Sequence, residues 1–314
     1  MDLFSKIKKI LRSLSVPDIY ILSILIIYSL FAVILFNKID RWYLLILENL
    51  CISLILILIS MKVYNSKNDK VLLLKRILYA PMVYLIYLQI QYYIRPLNPY
   101  LYDDILIKID YMIFGINPTY ALYKIVNPIL TEYLQITYMT YFIMPIIQGI
   151  ELHIKKNEDN FNHFVTTIFF SFFLSYLFYL FMPAIGPRFT IHNFDTLSLE
   201  LPGLWTTEFF RKIVNYGGGI VNNFQNPAEI VNRDCMPSGH TWITLVNIIL
   251  GFKLKSKFRW IFLIFGSSLI FATVYLRYHY VIDVIAGGLL ALLSIWFQPK
   301  IAKQLNKKLD IFRA

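Results

Sequence analysis

The segment 233–240, Arg-Asp-Cys-Met-Pro-Ser-Gly-His, combines residue types that could bind an anion and carry a proton. An apolar run follows it, so Pro237 is predicted to open a helix whose first turn carries the next three residues. The free N–H groups of such a turn attract phosphate, and Gly239 lets a ligand approach the backbone closely. His240 adds a group that can carry a proton at neutral pH. A plain helix start would explain the same residues without a site.

A second segment, 275–283, places a histidine four residues before a carboxylate. On a helix His279 and Asp283 would share one face and could touch. A carboxylate bonded to one ring nitrogen fixes the imidazole tautomer and makes the other nitrogen a better nucleophile. Asp283 also lies in an otherwise uncharged segment, where an unpaired carboxylate is costly. The alternative is a structural pair that holds two helices together.

The two segments, in this order, resemble the signature motifs of a known family. Pro-Ser-Gly-His followed by His-Tyr-x-x-Asp-Val is similar to the second and third motifs of the type 2 phosphatidic acid phosphatase superfamily. Segments 109–118 (IDYMIFGINP) and 181–189 (FMPAIGPRF) resemble the branch that contains fungal inositol phosphorylceramide synthase and sphingomyelin synthases. The similarity covers roughly residues 77–298.

The resemblance implies roles for three residues. His279 attacks phosphorus to give a phosphohistidine, and Asp283 orients it. His240 protonates the leaving alkoxide and later helps to activate the acceptor. Phosphoryl transfer needs these groups together with cationic donors on the phosphate oxygens.

The resemblance also implies a phosphate-binding group. Arg188 would hold the phosphate together with Ser238 and the Gly239 amide, since a planar guanidinium suits phosphate oxygens. No metal ion or other cofactor is required on this interpretation, because the arginine and the backbone donors replace the cation.

The chain departs from the family pattern at two places. The usual first motif has a lysine seven residues before Arg-Pro, whereas Leu88 stands seven before Arg95. We therefore assign the first-motif role to Arg188. The usual third motif has Ser-Arg six residues before its histidine, where this chain has Ala-Thr at 272–273. Arg277 could supply the missing charge, or it could be a solvated interfacial arginine.

Composition indicates a polytopic membrane protein. The chain is 58% hydrophobic, 17% aromatic and only 16% charged, with a mean hydropathy of +0.58. Soluble globular chains contain about a quarter charged residues. The two cysteines, Cys51 and Cys235, provide no disulfide framework. For Cys235 a packing role is favoured over a substrate contact.

The predicted fold is an all-α bundle of about eight transmembrane helices with a six-helix catalytic core. Apolar runs near the ~20 residues that cross a bilayer occur at 19–36, 43–63, 77–94, 133–150, 164–182, 240–253, 258–276 and 281–298. The predicted domains are an N-terminal segment with two spans (1–76), a lipid phosphatase/phosphotransferase core (77–298) and a basic tail (299–314).

The basic residues predict the orientation of these spans. Two thirds of the 30 Lys and Arg residues fall in connections on the side of the termini. By the positive-inside rule both termini are cytoplasmic. The Arg188, His240 and His279 segments then share the outer face. Membrane orientation thus explains the net charge of +11, and no nucleic-acid partner is needed to account for it. The composition favours a bacterial plasma membrane.

The sequence predicts an enzyme that moves a phosphate or phospho-headgroup from a membrane lipid to a lipid alcohol or to water. A plain phosphohydrolase of the phosphatidic acid or polyprenyl diphosphate type stays open, because hydrolysis and transfer share one intermediate. A catalytically silent lipid-binding or transport protein is the third hypothesis, and the intact histidine pair argues against it.

Two other features have competing interpretations. Asp103, Asp104 and Asp110 resemble a metal-binding acidic cluster, but a metal-dependent transferase needs two such clusters, which favours a capped interfacial helix. Asp110 also matches the branch pattern and is predicted to brace that helix. The stretch 216–219, Tyr-Gly-Gly-Gly, could clasp a polar headgroup, although a flexible turn is favoured.

Overall fold

The computed structural model describes residues 3–220 and 226–313, in which every regular element is helical. The helices up to residue 178 are α1 Leu3–Ser13, α2 Val16–Ile34, α3 Trp42–Ser66, α4 Asp69–Leu97, α5 Asp103–Phe114, α6 Pro118–Ala121, α7 Pro128–Met139, α8 Ile143–Ile154 and α9 Glu158–Phe178. The later ones are α10 Pro187–Thr190, α11 Leu197–Glu200, α12 Thr207–Gly217, α13 Pro227–Ile230, α14 Gly239–Lys253, α15 Arg259–Tyr275 and α16 Val281–Arg313. Short 3₁₀ turns occupy Leu122–Ile125 and Phe194–Thr196. The predicted all-α class is confirmed.

Five helices among the described residues are long and apolar enough to cross a membrane, judged by length and composition: α2, α3, α4, α9 and α16. The shorter apolar helix α15 matches the predicted run at 258–276, and the apolar helix α8 overlaps only the end of the run at 133–150. The 15-residue helix α14 matches the predicted run at 240–253. The polytopic helical fold is therefore confirmed, while the number of crossings stays a prediction.

The predicted segment 133–150 differs from the structure, because α7 and α8 divide it. A turn at residues 140–142 separates them, in which the Thr140 hydroxyl donates to the Thr137 carbonyl over 2.6 Å. Pro145 lies in the first turn of α8. Within a continuous helix its ring would clash with the carbonyl of Tyr141, so the helix breaks one turn earlier.

One compact unit comprises residues 1–97, 158–174 and 294–314. Within it α2 packs against α3 and α4, and α3 also packs against α1 and α4. The predicted domain limits at residues 76 and 298 remain a prediction.

A buried ion pair joins α2 to α4 in this unit. The Asp18 carboxylate is 0% exposed, and one of its oxygens lies 2.6 Å from Lys75 Nζ. Its other oxygen accepts a hydrogen bond of 2.8 Å from the Tyr79 hydroxyl. The N–H and hydroxyl of Ser15 also donate to Asp18 and cap the start of α2. Both Asp18 oxygens thus accept hydrogen bonds, and the buried Lys75 ammonium has a counter-charge.

Asp18→Asn is expected to destabilise the protein by about 3–5 kcal/mol, because it leaves the Lys75 ammonium buried without a counter-charge. Thermal or denaturant unfolding in detergent measures the change. Asp40→Asn, at an exposed carboxylate, is the matched control and should be neutral. Equal stability of the two variants would contradict the importance of the pair.

The other unit comprises residues 98–157 and 175–293. In it α15 packs against α7 and α14, while α12 packs against α7. Its largest described apolar cluster contains Leu134, Tyr138, Leu197, Leu201, Ala272, Tyr275, Leu276 and Tyr278. This cluster fixes α7 against the end of α15 and against the turn that follows it.

Glu132 on α7 holds the start of α12. Its carboxylate accepts hydrogen bonds from the Leu204 N–H (2.9 Å) and from both the N–H and the hydroxyl of Thr206 (2.7 and 2.6 Å). Thr207 donates its N–H and hydroxyl as well, over 3.2 and 2.5 Å. Burial alone would raise the pKa of Glu132, but these donors lower it to about 2. The charged carboxylate therefore anchors α12.

Candidate active site

His279 lies in the turn that joins α15 to α16. The N–H groups of Tyr278 and His279 both donate to the Thr273 carbonyl, over 2.9 and 3.0 Å, and close this turn. Because α16 begins at Val281, His279 stands outside the helix. His279 and Asp283 therefore meet across a turn, and not along one helix face as the spacing alone suggests.

The His279 ring lies between a carboxylate and a second imidazole. Its Nδ1 is 3.4 Å from Asp283 Oδ2, and its Nε2 is 3.3 Å from His240 Nδ1. The His279 and Asp283 side chains are 5% and 0% exposed. The Tyr280 N–H donates to the same Asp283 oxygen over 2.9 Å and holds it in place. The two predicted histidines and the aspartate are thus brought together.

His240 lies in the first turn of α14, which begins at Gly239. The prediction that Pro237 opens this helix is wrong, because Ser238 caps it by accepting the Thr241 N–H over 3.2 Å. The Ser238 N–H in turn donates to the Asp283 main-chain carbonyl over 3.1 Å. The Gly239 N–H stands where no intrahelical acceptor exists. One backbone bond thus joins the two histidine segments directly.

A glycine on α16 allows this close approach. A Cβ at Gly287 would lie 2.5 Å from the Ser238 carbonyl oxygen, which is backbone and cannot move aside alone. The next residue, Gly288, has open space at the same position. The absence of a side chain at Gly287 therefore sets the distance between α16 and the start of α14.

Gly287→Ala is expected to lower turnover by about 10²-fold, since a shift near 1 Å of a reacting group can cost that much. Gly288→Ala is the matched control on the same helix and should keep its activity. Turnover of a lipid phosphate by the two purified variants provides the comparison. Equal rates would show that the spacing at Ser238 does not matter.

Aromatic rings surround His240. Tyr138 stacks on its imidazole with centroids 4.6 Å apart, and the Tyr141 ring lies at 4.3 Å. Tyr138 also contacts the ring of Tyr278 at 4.6 Å. These tyrosines connect the His240 ring to the turn that carries His279.

Arg188 lies in the short helix α10, after a Gly-Pro turn. Its guanidinium donates to Asn215 Oδ1 over 2.8 Å and lies 4.9 Å from the centre of the Tyr278 ring. The residue is 7% exposed, and no carboxylate of the described residues forms an ion pair with it. Burial lowers its pKa from the usual value of arginine. The Asp234 charge acts on Arg188 from nearby, but no carboxylate of the described residues pairs with the guanidinium directly, so this buried cation is a good anion ligand.

Two aspartates of α5 hold the loops of the site. Asp103 accepts the N–H groups of Ile185 and Gly186, the latter over 2.8 Å, and also the Tyr280 hydroxyl over 2.8 Å. Asp110 accepts the first two N–H groups of α16, each over 2.8 Å. Burial raises the pKa of both carboxyls, although these donors oppose it. α5 therefore positions both the Arg188 turn and the start of α16.

Asp103 and Asp110 thus bind backbone donors of other segments, and neither caps α5, whose N-cap residue Tyr102 makes no side-chain cap bond. The brace predicted for Asp110 has a direct counterpart in these bonds. The glycine stretch lies beside Arg188, since a Cβ at Gly218 would be 3.4 Å from its guanidinium. The Gly218 carbonyl accepts the Asn232 N–H over 2.9 Å, so this stretch is a packed turn.

Arg277 pairs with Glu200 and is only 1% exposed. Glu200 also lies 3.4 Å from His192 Nδ1, and His192 Nε2 is 2.9 Å from the Thr119 hydroxyl. Burial and the nearby Arg277 charge lower the pKa of His192 to about 4. The Arg277 main-chain carbonyl accepts the Arg188 N–H over 3.1 Å. Arg277 therefore joins the His279 turn to neighbouring loops, and its positive charge is paired with Glu200.

Sequence reasoning favoured a packing role for Cys235 over a substrate contact, and the structure places it against the histidine–aspartate pair. Its thiol donates to Asp283 Oδ2 over 2.9 Å, and its sulfur lies 3.5 Å from His279 Nδ1. Burial and the neighbouring Asp283 charge raise the pKa of this thiol. In the sequence, the only indication of this contact was the position of Cys235 two residues before Pro237.

Comparisons with known proteins agree with this geometry. A model of the PAP2 superfamily matches residues 109–297, more than half of the chain. A PA-phosphatase related-family protein of Dictyostelium discoideum is 25% identical over 178 residues, which cover 50% of this chain and 30% of that protein. The chain thus spans less than a third of this curated relative. No solved structure matches it.

Proposed function

The chain belongs to the PAP2 superfamily, and on that premise we propose that it transfers the phosphate of a membrane lipid through a phosphohistidine intermediate. It is an integral membrane protein with several apolar helices, so a lipid is the natural substrate. The observation that carries the proposal is the position of His279, with Asp283 at one ring nitrogen and His240 at the other.

The proposed chemistry has two steps. Asp283 accepts the Nδ1–H of His279, which leaves the Nε2 lone pair to attack phosphorus. A P–N bond forms as the bond from phosphorus to the lipid oxygen breaks, and His240 gives a proton to that oxygen. In the second step His240 takes a proton from water or an alcohol, whose oxygen attacks phosphorus and frees His279.

The contact between the two imidazoles constrains how substrate binds. A separation of 3.3 Å between His279 Nε2 and His240 Nδ1 leaves no room for a phosphorus atom. Substrate therefore has to displace the His240 ring from His279, and His240 then faces the leaving oxygen. Apo structures of enzymes commonly differ in this way from their substrate complexes.

Arg188 is the proposed main phosphate ligand, because its buried charge has no carboxylate partner among the described residues. The Gly239 N–H and the Ser238 hydroxyl are proposed to assist it. Ser238 accepts both of its hydrogen bonds from Thr241, so its own hydroxyl hydrogen can donate to phosphate. Arg277 is left out of this group because Glu200 engages its charge.

The proposed acceptor is a lipid alcohol, as in the inositolphosphotransferase-like branch. The segments 109–118 and 181–189 support this choice. Water is the second candidate, supported by the phosphatase name of the Dictyostelium relative. Metal-independent catalysis is part of the proposal, since Arg188 and backbone donors supply the positive charge.

The proposed orientation places both termini in the cytoplasm and the catalytic residues at the outer face, from the distribution of lysine and arginine. The proposed core, 77–298, contains the residues that the family model matches.

Incubation of the purified protein with ³²P-labelled phosphatidic acid, phosphatidylinositol or polyprenyl diphosphate, each with and without a lipid alcohol, tests the proposal. A new labelled phospholipid that requires the alcohol supports transfer, whereas free labelled phosphate, or labelled inositol phosphate when phosphatidylinositol is the donor, supports hydrolysis. No product from any donor would contradict both and would leave the silent lipid-binding protein.

A further inference from the structure

Three side chains at the histidine–aspartate pair form a potential ligand set, and the proposed phosphoryl transfer gives the third of them, Cys235, no role. The sulfur of Cys235, Nδ1 of His279 and a carboxylate oxygen of Asp283 all lie within 4.8 Å of one another, and all three residues are buried. A thiol, an imidazole and a carboxylate are the three side-chain types that bind Zn²⁺.

The distances fit a tetrahedral ion. Zn²⁺ with bonds of about 2.0–2.3 Å separates its ligand atoms by roughly 3.3–3.6 Å. The structure has 3.5 Å from sulfur to Nδ1 and 3.4 Å from Nδ1 to Oδ2. The sulfur and Oδ2 are closer, at 2.9 Å, because the thiol proton lies between them. Loss of that proton removes the hydrogen bond and lets the two ligand atoms separate.

A second observation at the same place points to a ligand. The other carboxylate oxygen of Asp283, Oδ1, is buried and has no hydrogen-bond partner among the described residues. An unpaired carboxylate oxygen in a buried site is costly, and a cation bound by both oxygens of this carboxylate would satisfy it. Asp283 itself is 0% exposed.

We propose that Cys235, His279 and Asp283 form a buried site for a thiophilic divalent cation such as Zn²⁺, and that the bound ion inhibits the enzyme. The ion displaces the thiol proton to solvent, and a water molecule completes the tetrahedron. Hard cations such as Mg²⁺ do not bind, because thiolate and imidazole ligands select softer metals.

Inhibition follows from the imidazole tautomer, and this part of the inference rests on the proposed function. A neutral imidazole has one lone pair on a ring nitrogen, so metal on Nδ1 of His279 leaves the proton on Nε2. Nε2 then has no lone pair with which to attack phosphorus. The ion also coordinates Asp283, which then no longer orients the His279 ring.

Optical titration with Co²⁺, which substitutes for Zn²⁺, tests binding without any substrate. The purified protein should bind one equivalent of Co²⁺ and give a thiolate-to-Co²⁺ charge-transfer absorption. It should lose this absorption when Zn²⁺ is added, but not when Mg²⁺ is added. Cys51→Ser is the matched control, because it removes the other cysteine, which is exposed, and it should behave like the parent protein.

Cys235→Ser should lose the absorption and bind Zn²⁺ at least ~10-fold more weakly, since even residues outside the ligand set change metal affinity by that factor. His279→Gln should weaken binding likewise, which provides a second variant if the first fails to fold. No absorption in the parent protein, or an unchanged one in a folded Cys235→Ser, would overturn the site.

Zn²⁺ should inhibit lipid phosphate turnover of the parent protein and of Cys51→Ser at the concentration that displaces Co²⁺. Inhibition of Cys235→Ser, relative to its own metal-free rate, should need at least ~10-fold more Zn²⁺. If the protein binds Co²⁺ but shows no turnover even without added metal, the metal site is retained and the proposed function is rejected. Binding without inhibition of an active enzyme would reject the inhibitory role.

Discussion

His279→Ala is expected to abolish turnover, with a loss of at least about 10⁴-fold, because it removes the proposed nucleophile from a group that acts as a unit. Among the described residues, His240 is the imidazole that contacts His279, but no carboxylate there pairs with it as Asp283 pairs with His279. Initial rates with the labelled lipid phosphate that the parent protein uses are the measurement.

The control for this variant is His153→Ala, on α8 and outside the proposed catalytic group. It should retain the parent rate. Both variants should be compared for thermal stability in detergent, because His279 is buried and its loss could disturb the turn. Turnover within tenfold of the parent rate in a folded His279→Ala protein would reject the phosphohistidine mechanism.

Arg188→Ala is expected to lower turnover by about 10³-fold, the scale of losing a cation that stabilises charge on a transferring phosphate. The guanidinium is buried against Tyr278, and its hydrogen-bond partner among the described residues is the neutral Asn215. Arg188→Lys should recover only part of the rate, because a lysine cannot bind two phosphate oxygens in the same plane.

The matched control is Arg95→Ala, at the other arginine that stands next to a proline. If the first-motif role belongs to Arg188, Arg95→Ala should remain within a few-fold of the parent rate. The reverse pattern, with Arg95 essential and Arg188 dispensable, would reassign the phosphate ligand. Rates should be measured at saturating and limiting lipid, so that binding and turnover are separated.

The sequence predicted the helical class and the meeting of His240, His279 and Asp283 because both depend on strong local signals. Apolar runs near the length of a bilayer mark helices, and the paired motifs are specific. The break within 133–150 was missed, because a proline in an apolar run can either kink a helix or end it.

Other features depend on contacts between distant residues, which one sequence does not reveal. The ion pair between Arg277 and Glu200 depends on how the segment around Glu200 is positioned, and hydrophobic periodicity does not predict the position of such a segment. The hydrogen bonds that Asp103 accepts from the Gly186 N–H and the Tyr280 hydroxyl connect segments far apart in the chain. The start of α14 at Gly239 reflects the Ser238 cap, whereas proline statistics favoured an earlier start.

The most direct test of the account is to trap the phosphoenzyme by rapid quench with ³²P-labelled lipid phosphate and to map the label. The account predicts an acid-labile, alkali-stable phosphate on His279, formed at least as fast as turnover and absent from His279→Ala. Product formation without any labelled protein, or label on another residue, would contradict it.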